Sequence, residues 1–567
     1  MVLKTLLLIF GLLLPATAWA QMAPIPVTSA IYGAKCDGNA DDGPAINAAA
    51  TSAVNSGVYA IALPGGQPCH STSVTIDIPN GVAIHSFGYG GSQTPAIGAV
   101  IQCALSTPTI CVQTHDNSAD GTHTLGGQTI KGLTITRDEG TIVSGTEGLR
   151  INPGMGITLE DVMVNRQDIL YHLKGNGSQG LYFNANRIKG CAWTNTAFLY
   201  DYWAGARIDQ PLFGCNGSSD LAGSQSYVTI TGGSGGAGPN TLVFNDFHWN
   251  VGTVAASPAC AIKFANLNSA SGNTVEFKFL GGHTEGFNAL LCSDSTLTSL
   301  TQFLMANSTW QPDQTIEWLN LNATTKVNFS KFIGNDFNGN FGTSTFTLSG
   351  ANCWFNTLFQ GNHWMGLEVF ANGGSATCWN TTYGTRLDMA DNSFWANSSP
   401  ALVVAGAYDS GKFGGTLAGG QSVSCTATGP VQMTFAGAGV ALCSWTPTLL
   451  INGSSAGITQ SVTRGSWQLD GDDMKAWFFI TLSAVSGSGN VIISGLPNPC
   501  SSTIGAAGSG VGSYANGAGL RGGLIAVPNA GASTILLKTA GAAASVPLTQ
   551  ANLTATTTVQ GYINCPL

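Results

Sequence analysis

Residues 31–64, IYGAKCDGNADDGPAINAAATSAVNSGVYAIALP, decide the fold of this 567-residue chain. Ile31 and Tyr32 read as a short strand, Gly33 as a turn, and Asp37-Gly38-Asn39-Ala40-Asp41-Asp42 as an acidic loop. Asp41 or Asp42 suits a helix N-cap, because a carboxylate accepts the orphan amide hydrogens of a first turn. Pro44 falls in that turn, where its missing N–H costs nothing. Ala45, Ile46, Ala49, Ala50 and Ala53 form an apolar stripe at helical spacing, and Gly57 stops the helix. Val58–Leu63 then reads as a strand closing at Pro64.

The order Tyr32-Gly33-Ala34-Lys35-Cys36-Asp37-Gly38, Asp41-Asp42, an alanine-rich helix and Leu63-Pro64 resembles the N-terminal signature of the pectate-lyase superfamily, shared with many phage tailspikes. That resemblance implies an all-β chain: a single-stranded right-handed parallel β-helix whose N-terminal end this segment, helix included, caps. It also implies that the aspartates are structural. The signature names an architecture and leaves the reaction open. The last 120 or so residues resemble the C-terminal domain of phage tail fibres and tailspikes through Trp445-Thr446-Pro447-Thr448-Leu449, Gly457-Ile458-Thr459, Gly465-Ser466-Trp467, Phe478–Leu482 and Ile493–Pro497. Ala544–Thr549, Asn552-Leu553-Thr554 and Val559–Ile563 fit the same pattern. This second resemblance implies a β-sandwich-like domain and a homotrimer.

Four segments follow: a signal peptide at 1–20, the β-helix at 21–400, a Gly/Ala-rich transition at 401–445 and the C-terminal β domain at 446–567. The signal is read from Lys4, the apolar run Leu6–Leu14 and Ala18-Trp19-Ala20, too short a run to span a bilayer. No later stretch spans either, so an exported chain is expected. Only 9% of residues are charged, with 20 basic residues scattered through the chain and a net charge of −9, so the electrostatic footprint of a nucleic-acid binder is missing. Disorder is excluded by the 13 Trp and 25 Phe. The 14 cysteines read as disulfides in an exported chain. Sequential pairing would give Cys36–Cys69, Cys103–Cys111, Cys191–Cys215, Cys260–Cys292, Cys353–Cys378, Cys425–Cys443 and Cys500–Cys565, local links that stacked coils allow. No Cys-x-x-Cys occurs, and neither metal nor cofactor is expected.

Short strands broken by Gly, Asn and Pro (Val74–Ile78, Val82–His85, Thr129–Ile135, Ile157–Val164) recur every 20–30 residues without crossover helices, as solenoid coils do. Phe332-Ile333-Gly334-Asn335-Asp336-Phe337 repeats as Phe359-Gln360-Gly361-Asn362-His363-Trp364 and Met389-Ala390-Asp391-Asn392-Ser393-Phe394. Leu304–Asn307 and Phe279–His283 precede them as weaker copies. Asn307, Asn335, Asn362 and Asn392 are therefore expected to stack at one corner, amide on amide.

A β-helix enzyme acting on polysaccharide needs either two carboxyls flanking a glycosidic bond or, for elimination, a base such as Arg or Lys. Asp246, Glu276, His283 and Glu285 are the candidate catalytic residues. Asp246 and Glu276 both follow an Asn-Thr pair, at 240 and 273, which would set them on adjacent rungs. Trp249 and His248 are candidate sugar contacts, and the repeat places Asp336 beside His363 as a second pair. Trp310, Trp318, Trp354, Trp364, Trp379 and Trp395 are aromatic candidates for sugar contact, although most tryptophans of a solenoid fill its core or seams. Arg137 and Arg166 are the arginines near acids for a lyase route. The Asn-Thr-Asp and Gly-His-Gly signatures of polygalacturonases are absent, as is a pectate-lyase catalytic motif. Expected, then, is a secreted hydrolase or lyase of an extracellular polysaccharide, or a non-catalytic glycan-binding adhesin on the same scaffold.

Overall fold

The computed structural model describes residues 23–86, 98–116, 126–175, 181–201, 204–214, 226–232, 240–250, 259–267, 273–312, 318–339, 344–374, 385–396, 400–418, 421–436, 443–470, 473–502, 509–517, 523–540 and 545–566. The expected signal at 1–20, together with Cys215, Cys378 and Trp379, lies outside them. The chain divides into two compact units, Met1–Leu221 and Ala222–Leu567.

In the first unit the helix spans Gly43–Asn55, with Pro44 in its first turn and Ile46, Ala49, Ala50 and Ala53 buried. The entry strand is Ile25–Pro26, paired in parallel with Ala60–Leu63; Ile31 and Tyr32 belong to a turn. Asp42 occupies the N-cap position but makes no side-chain bond to the helix amides. Its carboxylate instead accepts the N–H groups of Lys35 (2.7 Å), Cys36 (3.0 Å) and His70 (3.2 Å). Asp41 accepts from Thr72 N–H and the Ser73 hydroxyl. Asp42 thus holds the N-cap position without bonding the helix amides: three backbone donors converge on its buried carboxylate and tie the loop to strand Cys69–Ser71, while the backbone of Gly43, the first helical residue, bonds the Asp41 carboxylate instead.

Parallel strands then stack coil on coil. Ile61, Ile84, Ile130, Leu159, Ala185 and Ile208 align across six rungs, all at or near zero exposure. The run read as Thr129–Ile135 is two strands bent at Gly132, and that read as Ile157–Val164 is bent at Asp161. Gly132, Asp161, Arg187 and Gln210 all take positive φ at this corner. The N–H groups of Gly132, Asp161 and Arg187 each donate to a carbonyl one coil on. A residue other than Gly, Asn or Asp in that region costs about 1–2 kcal/mol, and these coil-to-coil hydrogen bonds offset the strain at the corner.

The second unit repeats the scheme with a better-chosen corner. Asp246, Gly281, Asn307, Gly334, Gly361 and Asp391 have φ between 52° and 64°, and every one is Gly, Asn or Asp. The next residue in each coil points inward: Asn335 Nδ2 donates to Asn362 Oδ1 (3.0 Å) and Asn362 Nδ2 to Asn392 Oδ1 (3.1 Å). Asn307 is not in that column. Met305 pairs with Phe332, so Asn307 sits at the outward corner opposite Gly334, and Ser308 takes the inward place with its N–H on Asn335 Oδ1. One coil earlier the place belongs to Gly282, where a Cβ would lie 2.2 Å from the Phe247 ring.

Aromatic rings fill the interior. Phe332 stacks on Phe359 at 4.4 Å, Phe337 on Trp364 at 4.5 Å, and Trp364 on Phe394 at 6.2 Å. Parallel pairing runs on through Ser410–Leu417 and Val431–Ala436, inside the stretch read as a transition. From Cys443–Trp445 to Thr558–Pro566 the strands form a ten-stranded antiparallel sheet. Among the described residues five of the expected disulfides form: Cys36–Cys69, Cys103–Cys111, Cys260–Cys292, Cys425–Cys443 and Cys500–Cys565. Among the described residues no helix is long and apolar enough to cross a membrane.

Candidate functional site

Straight after the Gly/Asn/Asp corner of each coil in the second unit comes a short strand. His248–Asn250, His283–Glu285, Thr309–Gln311, Asp336–Asn338, His363–Met365 and residues 393–395 stack in register. Side chains alternate across a strand, so the middle residue of each (Trp249, Thr284, Trp310, Phe337, Trp364, Phe394) is buried. The flanking residues make two outward columns. One reads His248, His283, Thr309, Asp336, His363, Ser393; the other reads Asn250, Glu285, Gln311, Asn338, Met365, Trp395. Five of the eight residues singled out from the sequence therefore share one face.

Two histidine–carboxylate pairs stand on it. His283 Nε2 lies 2.7 Å from Glu285 Oε1, while Asn250 Nδ2 donates to Glu285 Oε2 at 2.6 Å, so both carboxylate oxygens are oriented. The His248 ring stacks on His283 at 5.3 Å. Partial burial first, and the His283 ring second, hold the His248 imidazole below its ordinary value, against the attraction of Glu285. A carboxylate oriented by Asn250 and hydrogen-bonded to the His283 imidazole is equipped to take and return a proton. Two rungs on, about 9–10 Å along the stack at 4.7–4.9 Å per strand, His363 Nδ1 lies 3.0 Å from Asp336 Oδ1.

The other three expectations are corrected. Trp249 is fully buried, packed on Phe247 at 4.5 Å and Tyr227 at 5.5 Å, and has no face for a sugar. Of the tryptophans named as candidates, Trp310, Trp318, Trp354 and Trp364 are core, whereas Trp395 is 65% exposed at the end of the polar face. Asp246 and Glu276 are not a pair: the register sets Glu276 opposite Thr241 and Asp246 opposite Gly281. Glu276 stands at a different positive-φ corner, accepting from Thr241 Oγ1 at 3.1 Å. Five residues of strand, about 16 Å, separate the two positions within a coil. Alignment on the Asn-Thr pairs implied an offset of 33, and the true offset, Asn240 to Val275, is 35.

In the first unit Arg137 is 2% exposed and spends its guanidinium on Gln167 Oε1 and the carbonyls of Ala104, Pro108 and Thr109. Burial lowers it to about 10, yet it remains a cation clamped inside the unit and unable to reach a polymer. Arg166 donates to Gly140 O at 2.8 Å.

Sequence reasoning missed a buried charged cluster in this unit. Glu147 is gripped by Arg150, with Nε at 2.6 Å, and by His172 Nδ1 at 2.9 Å, while Asp201 Oδ2 lies 3.7 Å from His172 Nε2. Burial would raise Glu147, but Arg150 and His172 overcome it and hold the carboxyl at about 2. Burial would likewise lower His172, but Asp201 and Glu147 raise it. Arg150 and His172 face each other across paired strands, and only that register betrays the cluster.

No family model matches this sequence, and no curated protein matches it. Among solved structures the chain is similar to the tailspike protein gp49 of the Acinetobacter baumannii bacteriophage Fri1, a capsular polysaccharide depolymerase, at 10% identity over 96% of this chain and 86% of that one (TM-score 0.43). It is similar to the tailspike protein of E. coli bacteriophage HK620 in complex with a hexasaccharide, at 10% identity over 96% and 93% (TM-score 0.45). The mannuronan C-5 epimerase AlgE6 A-module of Azotobacter vinelandii matches at 13% identity over 73% and 98% (TM-score 0.44).

Proposed function

We propose that this protein is an exported enzyme that cleaves an extracellular polysaccharide along the polar face of the second unit, with Glu285 and His283 transferring the proton. The observation that carries the reading is the Asn250–Glu285–His283–His248 arrangement on an outward sheet face. Asp336, paired with His363, supplies a second carboxylate for the far side of the glycosidic bond, and Trp395 offers a ring for stacking a sugar. The five disulfides among the described residues support an oxidising, extracytoplasmic location, and export by residues 1–20 belongs to the same proposal.

The test is incubation with a panel of bacterial exopolysaccharides and pectins, following reducing ends and the ultraviolet absorbance of unsaturated uronates. Reducing ends alone mean hydrolysis; both signals mean elimination. Glu285→Gln is expected to lower kcat about 10²–10⁴-fold while its melting curve overlays the wild type, because a half-exposed carboxylate contributes within about 0.5 kcal/mol to stability. Trp395→Ala is expected to raise KM and leave kcat in place. Full activity in Glu285→Gln would refute the assignment.

One observation favours a second reading, a non-catalytic glycan-binding protein. The His363 and Asp336 side chains are 60% and 42% exposed, an open setting that does not exclude water as proton-transfer sites commonly do. Retention of a polymer by the protein without release of any reducing end would select that reading.

A further inference from the structure

Across the Gly361/Asp391 corner from the polar face, the second unit carries a cleft of ≈ 490 Å³ lined by Asn356, Leu358, Arg386, Asp388, Asp409 and Lys412, among others. The strands that build it pair in register, so Leu358, Asp388 and Lys412 form one outward column and Arg386 lies across from Ser410. Its charges are unequally engaged. Arg386 Nε donates to Asp409 Oδ2 at 2.6 Å, and its guanidinium lies over the Phe355 ring, 5.4 Å from the centroid. Asp388 Oδ1 accepts the N–H of Ala390 at 3.1 Å. Lys412 is exposed, and among the described residues no carboxylate lies within 4.0 Å of its ammonium. At the edge Phe355 meets Phe329 edge to face at 5.8 Å, and Phe329 is 49% exposed.

We infer that this cleft is a second carbohydrate site, specific for an acidic sugar, in which Lys412 takes the sugar carboxylate. The inference rests on the glycan reading above and adds to it a site and a substrate class. A carboxylated pyranose supplies what each wall lacks. Its anion answers the uncommitted ammonium, and its hydroxyls donate to Asp388 and Asp409 and accept from Asn356 Nδ2. Its apolar ring face suits the exposed Phe329. The Arg386–Asp409 pair, already neutralised and braced on Phe355, holds the wall in shape and adds no net charge. A neutral sugar would offer Lys412 no counterion. Lying on a different face from Glu285, the cleft would hold an acidic chain on the protein independently of cleavage.

The experiment is calorimetric titration of the whole disulfide-bonded protein with an oligogalacturonate and with the same oligosaccharide after carboxyl reduction. The expected result is binding of the acidic probe, weakened by salt and by roughly 10-fold or more in Lys412→Gln, unchanged in Glu285→Gln, and at least as strongly reduced for the carboxyl-reduced probe. A Lys412→Gln protein that binds like wild type, or equal affinity for both probes, overturns the inference. So does loss of all binding in Glu285→Gln, which would put the ligand on the other face. Binding of neutral polymers alone would overturn the acidic site and leave the polysaccharide reading standing. Lys412-dependent binding with no cleavage of any polymer would do the reverse. Lys412→Arg, which keeps the charge, is expected to retain most of the affinity and separates charge recognition from damage to the fold.

Discussion

Glu147→Ala should lower the unfolding free energy by about 3–5 kcal/mol, the cost of removing one partner from a buried ion pair. The Glu147 side chain is 7% accessible and is the counterion for both Arg150 and His172. Deleting it leaves the guanidinium alone and the imidazole with only the more distant Asp201, both in a poorly solvated place. Glu147→Gln keeps the shape and some hydrogen bonds, so its deficit should be smaller. The pH dependence has a definite sign. Glu147 is held at about 2 against an ordinary 4.5, so its stabilisation is complete above the unfolded value and disappears as pH falls from there through about 2. His172 is raised above 6.5, so its contribution is complete below the unfolded value and disappears as pH rises through the folded one. Wild-type stability from this cluster therefore peaks between about 4.5 and 6.5. In Glu147→Ala the acid limb should flatten, and the alkaline limb should shrink as His172 loses a partner. Urea melts of the three proteins across acid to mildly alkaline pH check this. An alanine variant within 0.5 kcal/mol of wild type at every pH would show that the cluster stabilises nothing.

How far the sequence reveals this molecule depends on whether a feature is local. The helix and its proline, the local disulfides and the Asn335–Asn362–Asn392 column are written in short stretches or in a near-regular spacing of 27 and 30 residues, and they are legible. Register between coils is different, because it depends on how many residues each loop absorbs. From His248 to His283 a coil takes 35 residues, and from His283 to Thr309 only 26. A motif match cannot carry across that change, which is why the Asn-Thr pairs misalign Asp246 with Glu276 and the repeat misplaces Asn307 by one residue. Corner chemistry explains the contrast. The column from Asp246 to Asp391 is all Gly, Asn and Asp and announces itself, whereas Thr241, Glu276, Gln302, Phe329 and Asn356 take the same positive φ with mixed side chains. Trp249 is another matter, since strict alternation in His248-Trp249-Asn250 already buries the middle residue. The charged cluster around Glu147 draws on strands about 25 residues apart with no shared motif, and only the folded register assembles it.

Asn362→Ala should be as damaging as the loss of Glu147, although it removes no charge. Asn362 is fully buried, and its Oδ1 accepts both the backbone N–H (2.9 Å) and Nδ2 (3.0 Å) of Asn335. Its Nδ2 donates to Phe332 O (2.9 Å) and to Asn392 Oδ1 (3.1 Å). Alanine strands the Asn335 N–H, takes a donor from two buried acceptors and opens a void. At about 1–3 kcal/mol for each unsatisfied group, the total should reach about 3–5 kcal/mol. The loss should also reach the polar face, because Asn335 O receives the N–H of His363 at 2.8 Å and Ser308 O that of Asp336 at 2.9 Å. The column thus sets the rotation of the strands that carry the second histidine–carboxylate pair. Asn362→Asp sharpens the test. It is nearly isosteric, but its carboxylate would sit beside Asn392 Oδ1 with no cation in the column, so burial would raise its pKa. A protonated Asp still donates one hydrogen bond, so this variant should be most stable in acid and lose stability as pH rises from about 3.9 toward its raised folded value. Asn362→Ala should show no such dependence relative to wild type. Matching pH profiles for the two variants, or an alanine deficit below 1 kcal/mol, would mean that the stacked rings of Phe332, Phe359 and Trp364 hold these coils without help from the amides.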